Sequence, residues 1–339
     1  MKIKSVTNVV ALAATLAVSP VSTPAQSLNA AGATFPAPIY QKWFGDYKTA
    51  HPSVQINYQA IGSGGGIKQL TDATVDFGAS DKPMSNEEIA AVKSKPLHFP
   101  TVLGAVVITY NIPGLNGTLK LSPAVVAGIF LGSIAKWDDA RIKADNPAAN
   151  LPAKPIVVVR RSDGSGTSFV FTDYLSQVSP EWKSKVGANT MVQWPTGLGQ
   201  KGNDGVAGMV KQTPNSIGYV ELLYAAQNKM AFADLKNADG KFVTASFDAV
   251  TAAAASSKGL DKDFRGSIVN APGAKSYPIS TYTWLLIPSQ IPDAGKRKAV
   301  TEFLAWMLKD GQKDAQGLSY APLPKAVAAL VEKQIALIK

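Results

Sequence analysis

Hydrophobic and polar positions follow two different periods along this chain, and the change between them predicts its main elements. Residues 54–58 alternate apolar and polar side chains, as a half-buried strand does, whereas residues 170–178 place apolar side chains on one helical face. Residues 102–108 form a nearly continuous apolar run, which is typical of a strand buried on both faces of a parallel sheet. Strands and helices that alternate in this way predict an α/β fold.

Capping residues mark several helix boundaries. Ser85, with Glu88 three residues later, has the pattern of a capping box. Ser122 and Pro123 are a typical N-cap and first-turn pair, so we expect a helix from there to Phe130. Two amphipathic helices are predicted to close the chain, with apolar faces formed by Val300, Phe303, Leu304 and Met307 and by Val327, Leu330, Val331 and Ile335.

Three glycine-rich loops each precede a predicted helix, at residues 61–68, 163–168 and 197–205. Glycine lets the backbone approach a ligand, and the free N–H groups of a helix N-terminus favour a bound anion by roughly 0.3 to 2 kcal/mol. The first loop is not a nucleotide-binding P-loop, because Ile67 separates Gly66 from Lys68. We interpret the third loop as structural.

The segment 156–171 carries the strongest anion-binding pattern in the chain. A short β-branched strand, residues 157–159, leads into a loop of glycine and hydroxyl residues, and a helix follows at once. Arg161, just before the loop, supplies a planar fork that matches two oxygens of a tetrahedral oxyanion. Taken alone, residues 163–166 also fit a simple capped turn.

The first 25 residues have the features of a signal peptide. Lys2 and Lys4 precede a short apolar stretch at 9–18, and small residues at 22–25 suit a cleavage site. The sequence contains no cysteine, so it has neither a disulfide framework nor a lipid-attachment cysteine. No later apolar run reaches transmembrane length. These features predict export to the periplasm without a lipid anchor.

The remaining chain has the size and composition of a two-domain globular protein. It is 46% hydrophobic and 17% charged, and the net charge of +10 becomes +8 once Lys2 and Lys4 are removed. The lysines are scattered and form no basic run, so we do not expect a nucleic acid partner. A mild attraction of small anions is the consequence of this charge.

Five segments together resemble the periplasmic phosphate-binding proteins of high-affinity phosphate ABC transporters. They are residues 31–38 (AGATFPAP), 61–66 (IGSGGG), 75–81 (VDFGASD), 160–169 (RRSDGSGTSF) and 202–205 (GNDG). The resemblance covers essentially the whole chain after residue 25. It implies a two-lobed class II periplasmic binding protein fold with a hinge and a central ligand cleft, and a protein that is not an enzyme and needs no cofactor.

The resemblance also implies a set of phosphate-binding residues. The Thr34 hydroxyl, the Phe35 amide and the Ser63 hydroxyl would hold the anion from one side, and Asp81 would accept a hydrogen bond from the phosphate proton. Arg161 would place its guanidinium against the anion, while Asp163 would orient and partly neutralise Arg161. The remaining donors would come from the central loop, at Ser165, Gly166 and Thr167.

The resemblance implies a division of the chain and a set of partners. We expect lobe I to comprise residues 26–109 plus 279–339 and lobe II residues 110–278, with crossings near 109–112 and 277–280. The expected partners are inorganic phosphate and the inner-membrane permease subunits of an ABC importer with its cytoplasmic ATPase. We expect the protein to be a monomer.

Two alternative functions remain open from the sequence. One is a phosphatase-like enzyme, although Asp163 replaces the glycine of a serine-hydrolase elbow around Ser165, and only His51 and His98 are available as bases. No cluster of residues has metal-ligand spacing, so we expect no metal site. The other alternative is binding of sulfate, molybdate or phosphonate, against which Asp81 argues.

Overall fold

The computed structural model describes residues 26–257, 260 and 262–339, so the expected signal peptide lies outside the described residues. Strands and helices alternate through most of the chain, and the predicted α/β class is confirmed. In chain order the elements are β1 (Gln26–Gly32), α1 (Ala37–Ala50), β2 (Val54–Ala60), α2 (Ser63–Thr71), β3 (Phe77–Ser80), α3 (Asn86–Ala91), β4 (Pro96–Asn111), β5 (Lys120–Leu121), α4 (Pro123–Leu131), α5 (Ala140–Asp145), β6 (Val157–Arg161), α6 (Gly166–Val178), α7 (Pro180–Lys185), β7 (Leu198–Gln200), α8 (Gly202–Gln212), β8 (Ser216–Glu221), α9 (Leu222–Gln227), β9 (Ala231–Phe232), β10 (Asp234–Lys236), β11 (Phe242–Val243), α10 (Phe247–Ser256), β12 (Ser280–Pro288), α11 (Ala294–Lys309), two 3-10 turns (Gly311–Asp314 and Gln316–Leu318) and α12 (Lys325–Ile335).

One long mixed sheet carries most of the strands. Its order is β2-β1-β3-β12-β4-β8-β6-β7, and β9 pairs with β4. Strand β1 is parallel to β2 and β3, and β6 is parallel to β7 and β8, so each end of the sheet is built from strand–helix–strand units. A small second sheet has the order β11-β10-β5.

Strand β4 runs through the middle of the long sheet and changes its partner along the way. Its first part pairs with β12 as far as Ala105, opposite Ser280, and its last part pairs with β8 from Val106, opposite Glu221. Both pairings are antiparallel, so the expectation of a parallel strand at 102–108 is wrong. The run is continuously apolar because both faces of β4 are buried. Burial of both faces does not depend on whether the neighbouring strands are parallel or antiparallel.

Each end of the sheet has its own aromatic cluster. Phe44, Tyr47, Phe303 and Trp306 pack together beside β1 and β2, while Phe130, Phe171, Trp194 and Tyr219 pack together around β8. The predicted faces of α6 and α11 supply several of these buried side chains. The face predicted for α12 is correct at Val331, which is buried, and wrong at Leu330, which is 54% exposed.

Predicted helix starts agree with the structure. Ser85 and Glu88 form the reciprocal hydrogen bonds of a capping box at the start of α3. Ser122 occupies the N-cap position of α4, although its side chain makes no capping hydrogen bond. Among the described residues, no helix combines the length and the apolar character needed to cross a membrane.

Candidate functional site

The loops at 61–66 and 163–168 meet at Gly166. A Cβ atom placed on this glycine would lie 2.2 Å from Ser63 Oγ and 2.5 Å from Asp81 Oδ2. The same loops are joined by a hydrogen bond of 2.9 Å from the Gly64 N–H to the Gly164 carbonyl. Two of the three glycine-rich loops are thus in direct contact, and their helices α2 and α6 begin at the contact point.

The glycines of the central loop do not use the left-handed conformation. Positive φ angles occur instead at Gly62 (φ 92°) and Gly202 (φ 75°), next to the N-termini of α2 and α8. At Gly166 the requirement is space rather than backbone conformation, because any side chain there would collide with Ser63 and Asp81.

Thr34 and Phe35 lie in the buried connection between β1 and α1. The carbonyl of Thr34 accepts a hydrogen bond from Tyr224 Oη at 2.6 Å, and the carbonyl of Phe35 accepts one from Tyr320 Oη at 2.6 Å. Both residues are nearly inaccessible to solvent. The two tyrosines hold the peptide planes of this segment, and the plane held by Tyr224 also contains the Phe35 N–H, whose direction is therefore fixed.

Asp81 follows strand β3 directly and is 1% exposed. Its Oδ1 accepts a hydrogen bond of 2.8 Å from Thr283 Oγ1, and its Oδ2 lies 3.4 Å from the donor Ser63 Oγ. Burial raises the pKa of Asp81 to about 7, against the opposing effects of Thr283, the Arg161 charge and Ser63. Near neutral pH this carboxyl therefore exists both as an acceptor and, when protonated, as a donor.

Arg161 and Asp163 form a buried pair at the end of β6. Arg161 Nε donates to Asp163 Oδ1 at 2.7 Å, and Arg161 Nη2 donates to Asp163 Oδ2. Their side chains are 1% and 11% exposed, so this is not a surface ion pair. Burial alone would raise the pKa of Asp163, but the bonds and charge of Arg161, with the Gly202 N–H, hold it below its usual range. The outer N–H groups of the guanidinium are left for a further acceptor.

Ser165, Gly166 and Thr167 open helix α6. Ser165 Oγ accepts the N–H of Ser168 at 3.0 Å and so caps the helix. The N–H groups of Gly166 and Thr167 belong to the first turn, where no carbonyl of the helix can accept them. All three residues are buried, so an anion at this end of α6 would meet N–H donors and the positive end of the helix dipole away from bulk water.

Asn203 is a member of this cluster that sequence reasoning missed. It lies in the loop that we interpreted as structural, it is fully buried, and its Nδ2 donates to Thr34 Oγ1 at 2.9 Å and to Thr167 Oγ1 at 3.1 Å. The available signal was the loop itself, which has the same glycine-rich pattern before a helix as the other two. Because we interpreted this loop as structural, Asn203 was not among the predicted site residues.

Every predicted site residue belongs to one buried cluster. The predicted residues are Thr34, Phe35, Ser63, Asp81, Arg161, Asp163, Ser165, Gly166 and Thr167. Most groups of the cluster are neutral donors, to which a guanidinium and a carboxyl that can carry a proton are added. This combination suits a small oxyanion that retains a proton of its own.

Catalytic and metal chemistry find little support in the described part of the chain. His51 is exposed, and His98 Nε2 accepts the Met84 N–H at 3.0 Å in a buried environment that lowers the His98 pKa to about 4. Between residues 26 and 339, leaving aside 258, 259 and 261, no group of three or more His, Asp or Glu side chains could hold a metal ion.

A cavity of about 360 Å³ adjoins the cluster and is lined by Thr34, Ala60, Ile61, Asp163, Lys201, Gly202 and Asp204.

Comparisons with known proteins agree with the fold. The sequence matches the family model of the PBP superfamily domain over residues 17–311. It is 47% identical to the phosphate-binding protein PstS of Xylella fastidiosa (strain Temecula1), over 90% of this chain and 84% of the relative. It is 45% identical to the phosphate-binding protein PstS of Pasteurella multocida (strain Pm70), over 92% of this chain and 91% of the relative.

A solved structure of a high affinity periplasmic phosphate-binding protein, bound with phosphate, is similar to this one with a TM-score of 0.74. The two chains are 21% identical, and the match covers 91% of this chain and 94% of the other. At this identity the likeness concerns the fold alone. The expectation of a two-lobed periplasmic binding protein fold is confirmed.

Proposed function

This chain belongs to the PstS family of phosphate-binding proteins within the PBP superfamily, and from that premise we propose that it binds inorganic phosphate and delivers it to an ABC importer. The observation that carries the proposal is the buried cluster that brings the Arg161 guanidinium and the Asp81 carboxyl together with a set of neutral donors. A cationic fork next to a carboxyl suits an anion that is charged and protonated at the same time.

The proposed phosphate contacts come from three segments. Thr34, Phe35 and Ser63 would contribute donors from the α1 and α2 side, and the α6 loop would contribute Ser165, Gly166 and Thr167. Arg161 would use the N–H groups that Asp163 leaves unused, because the carboxylate occupies Nε and one side of Nη2. The proposal is supported by the close approach of Gly166 to Ser63 and Asp81, and by Asn203 Nδ2, which donates to both Thr34 and Thr167. Together these contacts bring the three segments around one small volume.

Asp81 would select phosphate over sulfate. Phosphate carries at least one proton at neutral pH, whereas sulfate carries none, so only phosphate can donate to an ionised carboxylate. An unpaired like-charge contact with ionised Asp81 in a closed site costs on the order of 3 to 5 kcal/mol, so sulfate would bind chiefly to the protonated form. Because the Asp81 pKa is about 7, that form becomes scarce above neutral pH, and the preference for phosphate should reach about thirtyfold near about pH 8.5. Discrimination then comes from rejection of the wrong anion.

We further propose that the two lobes comprise residues 26–109 plus 279–339 and residues 110–278. The change of partner in β4 between Ala105 and Val106 supports a crossing within this strand, about four residues before the one expected near 109–112. The loops 61–66 and 163–168 would belong to opposite lobes, so their hydrogen bond between Gly64 and Gly164 would form on closure. Hinge segments absorb the rotation of lobes that move as rigid bodies.

The cellular role follows from the same proposal. The protein would be exported through the signal peptide at residues 1–25, act as a periplasmic monomer without a lipid anchor, and dock on the permease subunits of its importer. It would not be an enzyme and would need no cofactor. Neither Ser165 nor any other hydroxyl in the cluster has a hydrogen bond to a histidine among the described residues, which supports a binding role.

Calorimetric titration with phosphate, arsenate and sulfate tests the proposal. We expect tight binding of phosphate, weaker binding of arsenate and, near about pH 8.5 where Asp81 is mostly ionised, sulfate affinity at least about tenfold lower than phosphate affinity. A hydrolysis assay with phosphate esters should give no turnover. Absence of phosphate binding, or equal binding of sulfate, would contradict the proposed function, and turnover would establish the enzymatic alternative.

A further inference from the structure

We propose that Asn203 is a positioning residue that directs the hydroxyl protons of Thr34 and Thr167 toward the bound anion. This inference rests on the proposed function and adds a residue to it. Asn203 makes two threonine contacts, at 2.9 Å to Thr34 Oγ1 and 3.1 Å to Thr167 Oγ1. In both contacts the amide nitrogen is the donor and the hydroxyl oxygen is the acceptor.

The orientation of the Asn203 amide is set by its other end. Asn203 Oδ1 accepts the backbone N–H of Glu221 at 3.0 Å, in the buried region where β8 meets β4. If the amide were turned over, its NH₂ group would face that N–H, and its oxygen would face the threonines. The Glu221 N–H therefore directs both Asn203 donors toward Thr34 and Thr167.

The acceptor capacity of Thr167 is already used. Its Oγ1 accepts from Asn203 Nδ2 and, at 3.4 Å, from Arg161 Nη1. A hydroxyl oxygen has two acceptor sites and a single proton. With both acceptor sites occupied, the Thr167 proton has to be directed toward a third partner, and an anion at the α6 N-terminus is a suitable one.

Thr34 lies on the opposite side of the cluster, and its hydroxyl has one of its two acceptor sites occupied. Its Oγ1 accepts from Asn203 Nδ2, while its carbonyl is held by Tyr224. The Thr34 and Asn203 side chains are 6% and 0% exposed, so bulk water does not compete strongly for these groups. A free hydroxyl would turn and present lone pairs to the anion part of the time. Asn203 and Arg161 together prevent this for Thr167, and Asn203 makes it less frequent for Thr34.

A double-mutant cycle separates this role from a purely structural one. Asn203→Ala should weaken phosphate binding about tenfold, because both hydroxyls become free to rotate. Asn203→Asp should weaken it by more than about a hundredfold, because the carboxylate accepts from the threonines and adds a negative charge. In a Thr34→Val, Thr167→Val background, Asn203→Ala should cost less than about threefold, because no hydroxyl remains to be oriented.

A matched control is available at Asn237. This asparagine is also buried, and its Nδ2 donates to backbone carbonyls, among them those of Gly273 and Ser276. Asn237→Ala should lower the melting temperature and leave phosphate affinity unchanged. The valine variants also test the inference without any change at Asn203, since loss of each hydroxyl should weaken phosphate binding about tenfold.

The possible outcomes are distinct. If the costs of Asn203→Ala and of the two valine substitutions add without coupling, Asn203 does not act through the hydroxyls and the inference is overturned. Wild-type affinity in Asn203→Asp, or in both valine variants, overturns it equally. If the unmodified protein fails to bind phosphate, the proposed function itself is wrong and this inference is overturned with it.

Discussion

Gly166 and Ser63 lie so close together that a Cβ atom on Gly166 would be 2.2 Å from Ser63 Oγ. This distance is far below any normal contact, and the opposing group is a buried hydroxyl on the first turn of α2. The glycine is therefore a condition for the observed approach of the two loops. Because the side chain at position 166 is only a hydrogen atom, the two loops can close around the cluster.

Gly166→Ala should hold the two loops apart. We expect phosphate affinity to fall at least about a hundredfold, because the donors of α2 and α6 can no longer surround one anion. Calorimetry measures the affinity, and small-angle scattering measures whether phosphate still makes the protein more compact. Gly208→Ala is the matched control, because that helical glycine has no neighbouring atom within 4 Å of the added carbon. Equal affinities for both variants would contradict the steric argument.

Arg161→Ala should remove the only guanidinium that the described part of the chain places in the cluster. Asp163 would then face the anion without its partner, so we expect phosphate binding to weaken by about 2 to 5 kcal/mol. Arg161→Lys should weaken it less, because the charge remains while the bidentate fork is lost. Titration of both variants at one ionic strength is the measurement. Wild-type affinity in the alanine variant would remove Arg161 from the site.

Sulfate binding should depend on the protonation of Asp81. Burial raises the pKa of this carboxyl to about 7, so acidification converts it from an acceptor into a donor. We expect wild-type affinity for sulfate to increase about tenfold or more between about pH 8.5 and about pH 5. Asp81→Asn should bind sulfate better than wild type at about pH 8.5 and with little dependence on pH.

Two results of the same titrations would contradict this role of Asp81. If wild-type sulfate affinity stays constant over this range, the protonation state of Asp81 does not control selectivity. If Asp81→Asn rejects sulfate as strongly as wild type does at about pH 8.5, the carboxylate is not the source of the discrimination.

His98 should make the protein less stable in acid. Burial, with the charge of Arg265, lowers the His98 pKa from 6.5 to about 4, so the unfolded chain binds this proton more readily. The contribution of His98 to the free energy of unfolding is fully present above about pH 6.5. It is lost as the pH falls toward 4, by up to about 3 kcal/mol. Denaturant titrations at several pH values should reveal the slope.

Asp81 contributes to the pH dependence of stability with the opposite sign, so it should be substituted before that measurement is made. Its raised pKa favours the folded state at low pH, and this stability is lost as the pH rises through about 7. The comparison is therefore best made between Asp81→Asn and Asp81→Asn with His98→Gln, since glutamine also offers an acceptor to the Met84 N–H. An unchanged slope between about pH 4 and 6.5 in the second variant would exclude His98 as the cause.

Sequence patterns predicted the local parts of this site and missed the distant ones. The glycine-rich loops and hydroxyl residues indicated helix N-termini correctly, because capping and chain reversal depend on neighbouring residues. Asn203 and Thr283 were missed, since each acts on residues far away in sequence: Asn203 on Thr34, and Thr283 on Asp81. The spacing of apolar residues within one helix or strand carries no information about such a contact.

The direction of β4 and the exposure of Leu330 have related explanations. A run of apolar residues shows that both faces of a strand are covered, but its partners are chosen by the path of the whole chain, here β12 and β8. For α12, helical spacing identified the buried Val331 correctly and extended the apolar face one position too far. The width of a buried face depends on the neighbouring surface, which the helix sequence does not contain.

Strand β4 is hydrogen-bonded first to β12 and then to β8 without a break in its own extended backbone. If the two lobes rotate as proposed, the strand has to absorb the rotation as added twist near Ala105 and Val106, because its ladders hold it on either side. An extended strand tolerates a change of twist far better than a bend within the plane of its sheet. Strand β4 would then work as a torsion spring, which guides the opening along one axis and returns the lobes to the same register after each cycle.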